Sequence, residues 1–140
     1  MLKSLFPQVE WDEIEAVGFD LDGTLYDELD FILQVYSPIA ALLANVTKQW
    51  QHEIYWWMVN RWLEKGSSYN RIFQEVLDSK DVDGETTNKT IEECLDIYRN
   101  FQPKLSLTNR VRILLDNFKN KYPLFLITDG NSALQRAKFK

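Results

Sequence analysis

The chain has 140 residues, which at roughly 150 per domain fits one domain, or one domain carrying a sizeable insertion. Hydrophobic residues make up 45% and charged residues 26%, with only 5 Gly and 4 Pro, so disordered, collagen-like and low-complexity classes are excluded. A net charge of −5 has the wrong sign for neutralising nucleic-acid phosphates, and no nucleic-acid partner is expected.

The N-terminal stretch Met1-Leu2-Lys3-Ser4-Leu5-Phe6-Pro7 has one cation and a short apolar segment before Glu10, Asp12 and Glu13, which is not the build of a secretory signal. The first strong strand pattern is Ala16-Val17-Gly18-Phe19-Asp20-Leu21, apolar almost throughout, as suits a parallel strand covered on both faces. It stops at the turn pair Asp22-Gly23. From Leu29 the pattern changes to helical segments over Phe31–Asn45, Gln49–Lys65, Tyr69–Ser79 and Lys89–Phe101. Breaks fall at Thr47, at Gly66-Ser67-Ser68 and over the polar residues 81–88. The longest unbroken apolar run in this block, Ile39 to Ala44, is far shorter than the roughly 20 residues that cross a bilayer, so no membrane span is expected.

Pro103 ends the helical block. A further helix follows, with Val111, Leu114, Leu115 and Phe118 at helical spacing and Thr108 as its cap. Leu124-Phe125-Leu126-Ile127-Thr128 reads as a second buried strand ended by Asp129-Gly130-Asn131, and Ser132 to Lys140 opens another helix. No internal repeat is visible. The fold expected is α/β: a partial Rossmann-like core of two parallel strands, residues 1–28 and 103–140, with a four-helix block inserted at 29–102. The single cysteine, Cys94, can form no internal disulfide, and a reducing, cytoplasmic location is the default expectation.

Asp20 and Asp22 sit at the carboxyl end of the first strand, where open parallel sheets bind ligands. Carboxylates two residues apart on a strand project to one side, roughly 6 to 7 Å apart, and repel unless a cation lies between them or one holds a proton. The pair implies a magnesium site or an acid/base pair. Gly23 allows a sharp turn, and the Thr24 hydroxyl can pin it.

The string Phe19-Asp20-Leu21-Asp22-Gly23-Thr24-Leu25 resembles the first motif of the haloacid dehalogenase superfamily of hydrolases. Its second motif, an apolar strand ending in Thr or Ser, is similar to Leu124-Phe125-Leu126-Ile127-Thr128 with Asp129-Gly130-Asn131 after it, and the block between resembles the family's helical cap. The resemblance implies a magnesium-dependent phosphatase acting on a small phosphorylated metabolite. Asp20 would be the nucleophile that becomes an aspartyl phosphate, and Asp22 the acid and base for the leaving oxygen and the attacking water. Thr24 and Thr128, with backbone N–H groups near Gly130 and Asn131, would bind the phosphoryl group. Magnesium would be held by Asp20 and by the backbone carbonyl of Asp22.

An acid at position 22 favours phosphate esters over dehalogenation, since a halide leaves without a proton. The family's later motifs, a Lys and further metal-binding acids, find no match before Lys140. The chain is therefore expected to be a C-terminally truncated member of impaired activity, or alternatively a non-catalytic module retaining the cap. Two strands alone would leave Val17, Phe19, Leu124 and Leu126 on an apolar patch beside an open sheet edge, through which self-association is expected.

Four tryptophans, Trp50, Trp56, Trp57 and Trp62, lie on one predicted helix with Ile54, Met58 and Leu63; core packing between cap helices is preferred to a substrate-facing wall. His52 reads as solvated, Cys94 as core with Ile91, Leu95 and Tyr98, and Asp27, Glu28 and Asp30 as a solvated acidic turn rather than extra metal ligands.

Overall fold

The computed structural model describes Ser4 and residues 6–139; Met1, Leu2, Lys3 and Leu5 of the N-terminal stretch, and Lys140 at the end of the last predicted helix, lie outside the described residues. In chain order the elements are a 3-10 turn at Trp11–Glu13, β1 (Val17–Phe19), α1 (Glu28–Thr47), α2 (Gln51–Lys65), α3 (Ile72–Asp78), α4 (Gly84–Asn100), α5 (Asn109–Lys119), β2 (Leu124–Leu126) and α6 (Ser132–Lys138). They form two compact units, Met1–Glu28 with Ser106–Asp129, and Leu29–Leu105 with Gly130–Lys140. The order of elements is the expected one: a strand, four inserted helices, then a helix, a second strand and a last helix.

In the first unit β1 and β2 pair in parallel, with Val17 opposite Leu124, Gly18 opposite Phe125 and Phe19 opposite Leu126. The ladder is extended at both ends, by Val17 N–H to Pro123 O at 3.0 Å and Ile127 N–H to Phe19 O at 2.9 Å. One face of the pair is half-buried. Phe19 meets Phe118 of α5 edge to face at 5.9 Å between ring centroids, Trp11 and Tyr122 flank Phe118 at 6.4 and 6.1 Å, and the Tyr122 hydroxyl donates to Trp11 O at 3.1 Å. Thr108 caps α5 as expected, its hydroxyl accepting from Val111 N–H at 3.3 Å.

The strands are not covered on both faces. The apolar residues turned outward are Phe125 and Ile127, 49% and 64% exposed, whereas Val17, Phe19, Leu124 and Leu126 of the expected patch are the half-buried set. The pleat decides this, because alternate residues take opposite faces and α5 covers only one. Phe125 lies directly over Gly18, where an added Cβ would come within 2.6 Å of the ring. Glycine on one strand thus leaves room for the aromatic opposite it. The predicted strand over 16–21 is cut to three residues because the chain turns at once, Thr24 and Leu25 N–H both reaching Leu21 O at 3.3 and 3.1 Å.

The second unit is built on α1, which buries Phe31, Ile32, Val35, Tyr36, Ile39, Ala40 and Leu43. This helix is long and apolar enough to meet a length-and-composition test for crossing a membrane, which a search for unbroken apolar runs passes over. Its buried stripe belongs to a protein core here. The Phe31 ring is fully buried against Tyr98 and Phe101, at 5.3 and 6.2 Å between centroids, with Lys138 Nζ 4.4 Å from its centre. That last contact belongs to α6, which also buries Leu134 and Ala137 and packs on α4, so residues 130–140, grouped by sequence with the α/β part, lie with the helical unit.

Helix α2 buries Ile54, Met58 and Val59, a narrow stripe at spacings of four and five. Trp50, Trp56 and Trp57 lie off that stripe and are 73%, 55% and 42% exposed, which corrects the expectation of core packing for these three; Trp62 is half-buried. Helix α4 begins at Gly84, inside the stretch read as a break, because the Asp83 carboxylate accepts from Thr86 N–H at 2.9 Å and caps it. That bond also holds the Asp83 carboxyl below its ordinary value. Helix α3 starts at Ile72 rather than Tyr69, whose hydroxyl instead bonds the Glu75 carboxylate.

Glu75 is also gripped by Arg61, Nε to Oε2 at 2.7 Å and Nη2 to Oε1 at 2.8 Å, and these bonds with that from Tyr69 hold its pKa down to about 2. A carboxyl whose folded value lies below its ordinary 4.5 gives its full stabilisation above about pH 4.5 and loses it as pH falls toward 2. Melting of the parent and of Glu75→Gln should therefore differ most near neutral pH and converge through that acid window. Hydrogen exchange should find the slowest amides in α1 around Ile39 and Leu43, well below the rates at Gly18 and Phe125 in the three-residue strands. Equal protection in helices and strands would count against that ranking.

Candidate functional site

The loop after β1 is tied down by its apolar residues. Leu21, Leu25 and Tyr26 are buried, while Asp20 and Thr24 are exposed and Asp22 lies between. Gly23 takes φ +70°, a left-handed conformation that side chains rarely adopt, and so reverses the chain between the two aspartates and Leu25. The Thr24 hydroxyl reaches back to Asp20 Oδ2 at 3.4 Å, the pinning role expected of it. The Tyr26 hydroxyl donates to Asp22 Oδ1, and Asp22 and Tyr26 also form a short parallel bridge through their backbones. Tyr26 falls just past the seven-residue string and is missed by it. Its signal is a tyrosine four residues after the second aspartate, close enough to fold back across the turn.

Asp20 is the first residue after β1, and Thr128 the second after β2. Because Phe19 pairs with Leu126 and Ile127 N–H reaches Phe19 O, the two carboxyl-terminal strand ends lie side by side, at the roughly 4.8 Å spacing of adjacent strands. Thr128 Oγ1 is buried and has no hydrogen-bond partner. A hydroxyl in that state costs stability unless something else completes it. Asp20, Asp22, Thr24 and Thr128 thus belong to one compact unit.

Gly130 and Asn131 belong to the other unit. Gly130 has φ +107°, and the Asn131 side chain caps α6 by accepting from Leu134 N–H at 3.1 Å. Among the described residues no three His, Cys, Asp or Glu side chains gather into a metal-binding group, so Asp27, Glu28 and Asp30 do not enlarge the Asp20–Asp22 pair into one. The donors that remain are hard oxygens, a carboxylate and a backbone carbonyl. Magnesium accepts such a small protein share, keeping waters and taking substrate oxygens for the rest.

His52 is exposed and Cys94 fully buried, both as expected, and burial pushes the Cys94 thiol up to about 12. Two cavities, of about 240 and 210 Å³, lie in the helical unit. Trp57, Glu53 and Lys80 line the first, and Tyr36, Trp62 and Phe73 the second; neither includes Asp20, Asp22 or Thr128.

A family model described as haloacid dehalogenase-like hydrolase matches residues 17–140, from the first residue of β1 through α6. The chain belongs to that family. No curated protein matches it.

Proposed function

We propose that this chain is a phosphatase, acting in the cytoplasm on a small phosphorylated metabolite through a covalent aspartyl phosphate. The observation that carries the reading is the unpartnered, buried hydroxyl of Thr128 beside the strand end that bears Asp20. A donor held dry and unused suits the charged oxygens of a phosphoryl group, to which such a bond is worth roughly twice a neutral one.

Asp20 is exposed and free to approach phosphorus, and the bond from Thr24 orients its carboxylate. Attack by a carboxylate oxygen divides a very slow hydrolysis into formation and breakdown of an acyl phosphate. Asp22 protonates the departing alkoxide and then takes a proton from the attacking water, a requirement of esters that a halide leaving group does not impose. Magnesium, held by the Asp20 carboxylate and the Asp22 carbonyl, supplies neutralising charge beside the phosphoryl oxygens when bound.

Two variants test the reading. Asp20→Asn removes the nucleophile. With magnesium and acetyl phosphate the parent should gain one phosphoryl group on the peptide containing Asp20, labile to hydroxylamine, and the variant should gain none. A variant that turns over phosphate esters like the parent would refute the nucleophile assignment. Thr128→Val keeps the shape and deletes the hydroxyl: inorganic phosphate should bind roughly tenfold more weakly, about the ~1.5 kcal/mol of a hydrogen bond to a charged group. Melting should be unchanged or raised, since the lost hydroxyl satisfied nothing in the fold.

A further inference from the structure

We propose that the cavity between α2 and α3 binds a small zwitterion with a flat apolar side group, the chemistry of an aromatic α-amino acid. All the residues that line it belong to the helical unit, and neither Asp20 nor Thr128 is among them. Its volume of about 240 Å³ exceeds the ~150 Å³ of a cavity that takes up benzene, which leaves room for a few polar atoms beside a ring. Ile54 and Val76 line it as buried aliphatic side chains, and Trp57 adds an open indole. An aromatic side group can stack on that indole in the offset manner such rings prefer, and rest on the aliphatic pair.

The charged residues on the walls define the other half of the ligand. Both oxygens of Glu75 are already held by Arg61 and Tyr69, and these bonds brace α3 against α2. Glu53 of α2 and Lys80, which follows α3, also line the cavity, and neither is paired with an opposite charge among the described residues. They come from different walls and do not pair with each other. A molecule that carries both signs satisfies both, its carboxylate on Lys80 and its ammonium on Glu53, whereas an ion of one sign meets an attractive and a repulsive group together. Ser79 favours the ammonium as well. Its hydroxyl proton is already donated to Val76 O at 2.7 Å, so it can offer a ligand only an acceptor. Glu53 and Lys80 are exposed, and their charges are screened. A ligand of this size should accordingly bind with a dissociation constant on the order of 1 mM.

The test is a titration of the full chain with L-phenylalanine, followed by calorimetry and by nuclear magnetic resonance. The Trp57 indole N–H and the methyl groups of Ile54 and Val76 should shift together along one saturating curve. Lys80→Gln and Glu53→Gln, both at exposed positions, should each weaken binding about fivefold, and Trp57→Ala about tenfold. Two half-ligands assign the ends. Phenylpropionate, which lacks the ammonium, should be weakened by Lys80→Gln and not by Glu53→Gln; phenethylamine, which lacks the carboxylate, should show the reverse. No saturable shift at the three reporter residues, or binding indifferent to both charge variants, would overturn the proposal. Half-ligands that respond alike to the two variants would overturn it too, since the charges would then not be read separately.

Discussion

The parallel pairing of β1 with β2 is the contact on which the candidate site depends. Residues more than a hundred positions apart in the chain come to adjacent strand ends only because Val17, Gly18 and Phe19 align with Leu124, Phe125 and Leu126. A slip of one residue would turn Phe19 away from Phe118 and send Thr128 to the other side of the sheet, so register and aromatic packing specify the same arrangement. The pairing is short, and its side chains are half-buried at best on one face. What holds it in place is the cluster of Trp11, Phe19, Phe118 and Tyr122, whose large rings bury more area than the few strand residues could alone.

The loop bearing the two aspartates works by dividing its residues between two tasks. Leu21, Leu25 and Tyr26 are sunk in the protein, and this frees Asp20 and Thr24 to face outward on a backbone that cannot wander. The left-handed Gly23 makes the reversal without strain. Precision at the exposed Asp20 carboxylate is thus obtained from Leu21, buried next to it, as Leu25 is next to Thr24.

Much of this was legible in the sequence. The switch from a strand-like to a helical pattern after residue 28, the four inserted helices and the paired motifs all rest on local periodicity and on residues adjacent in the chain. What escaped depended on partners distant in sequence or on which face was covered. Apolar composition marked Val17 and Phe125 alike, but only the position of α5 makes one half-buried and the other exposed. The tryptophans of α2 read as core because bulk and hydrophobicity suggest it, whereas the stripe that packs is Ile54, Met58 and Val59. The break expected at 81–88 was moved by a single cap, Asp83, whose polar neighbours resemble a loop until the helix start is recognised. The bond from Tyr26 to Asp22 needed the turn to be folded before the two could be seen as neighbours.

The tryptophans also determine how this protein looks in a spectrometer. Of its five, Trp50, Trp56 and Trp57 are exposed to water over about half of each ring or more on average, all in one short stretch of chain. Their indoles already meet water in the native state, so unfolding changes their surroundings less than it would those of buried rings, and a small aqueous quencher should reach these three without any loss of structure. Intrinsic fluorescence is consequently a weak gauge of whether this protein is folded, and a sensitive one of whatever comes to rest against α2.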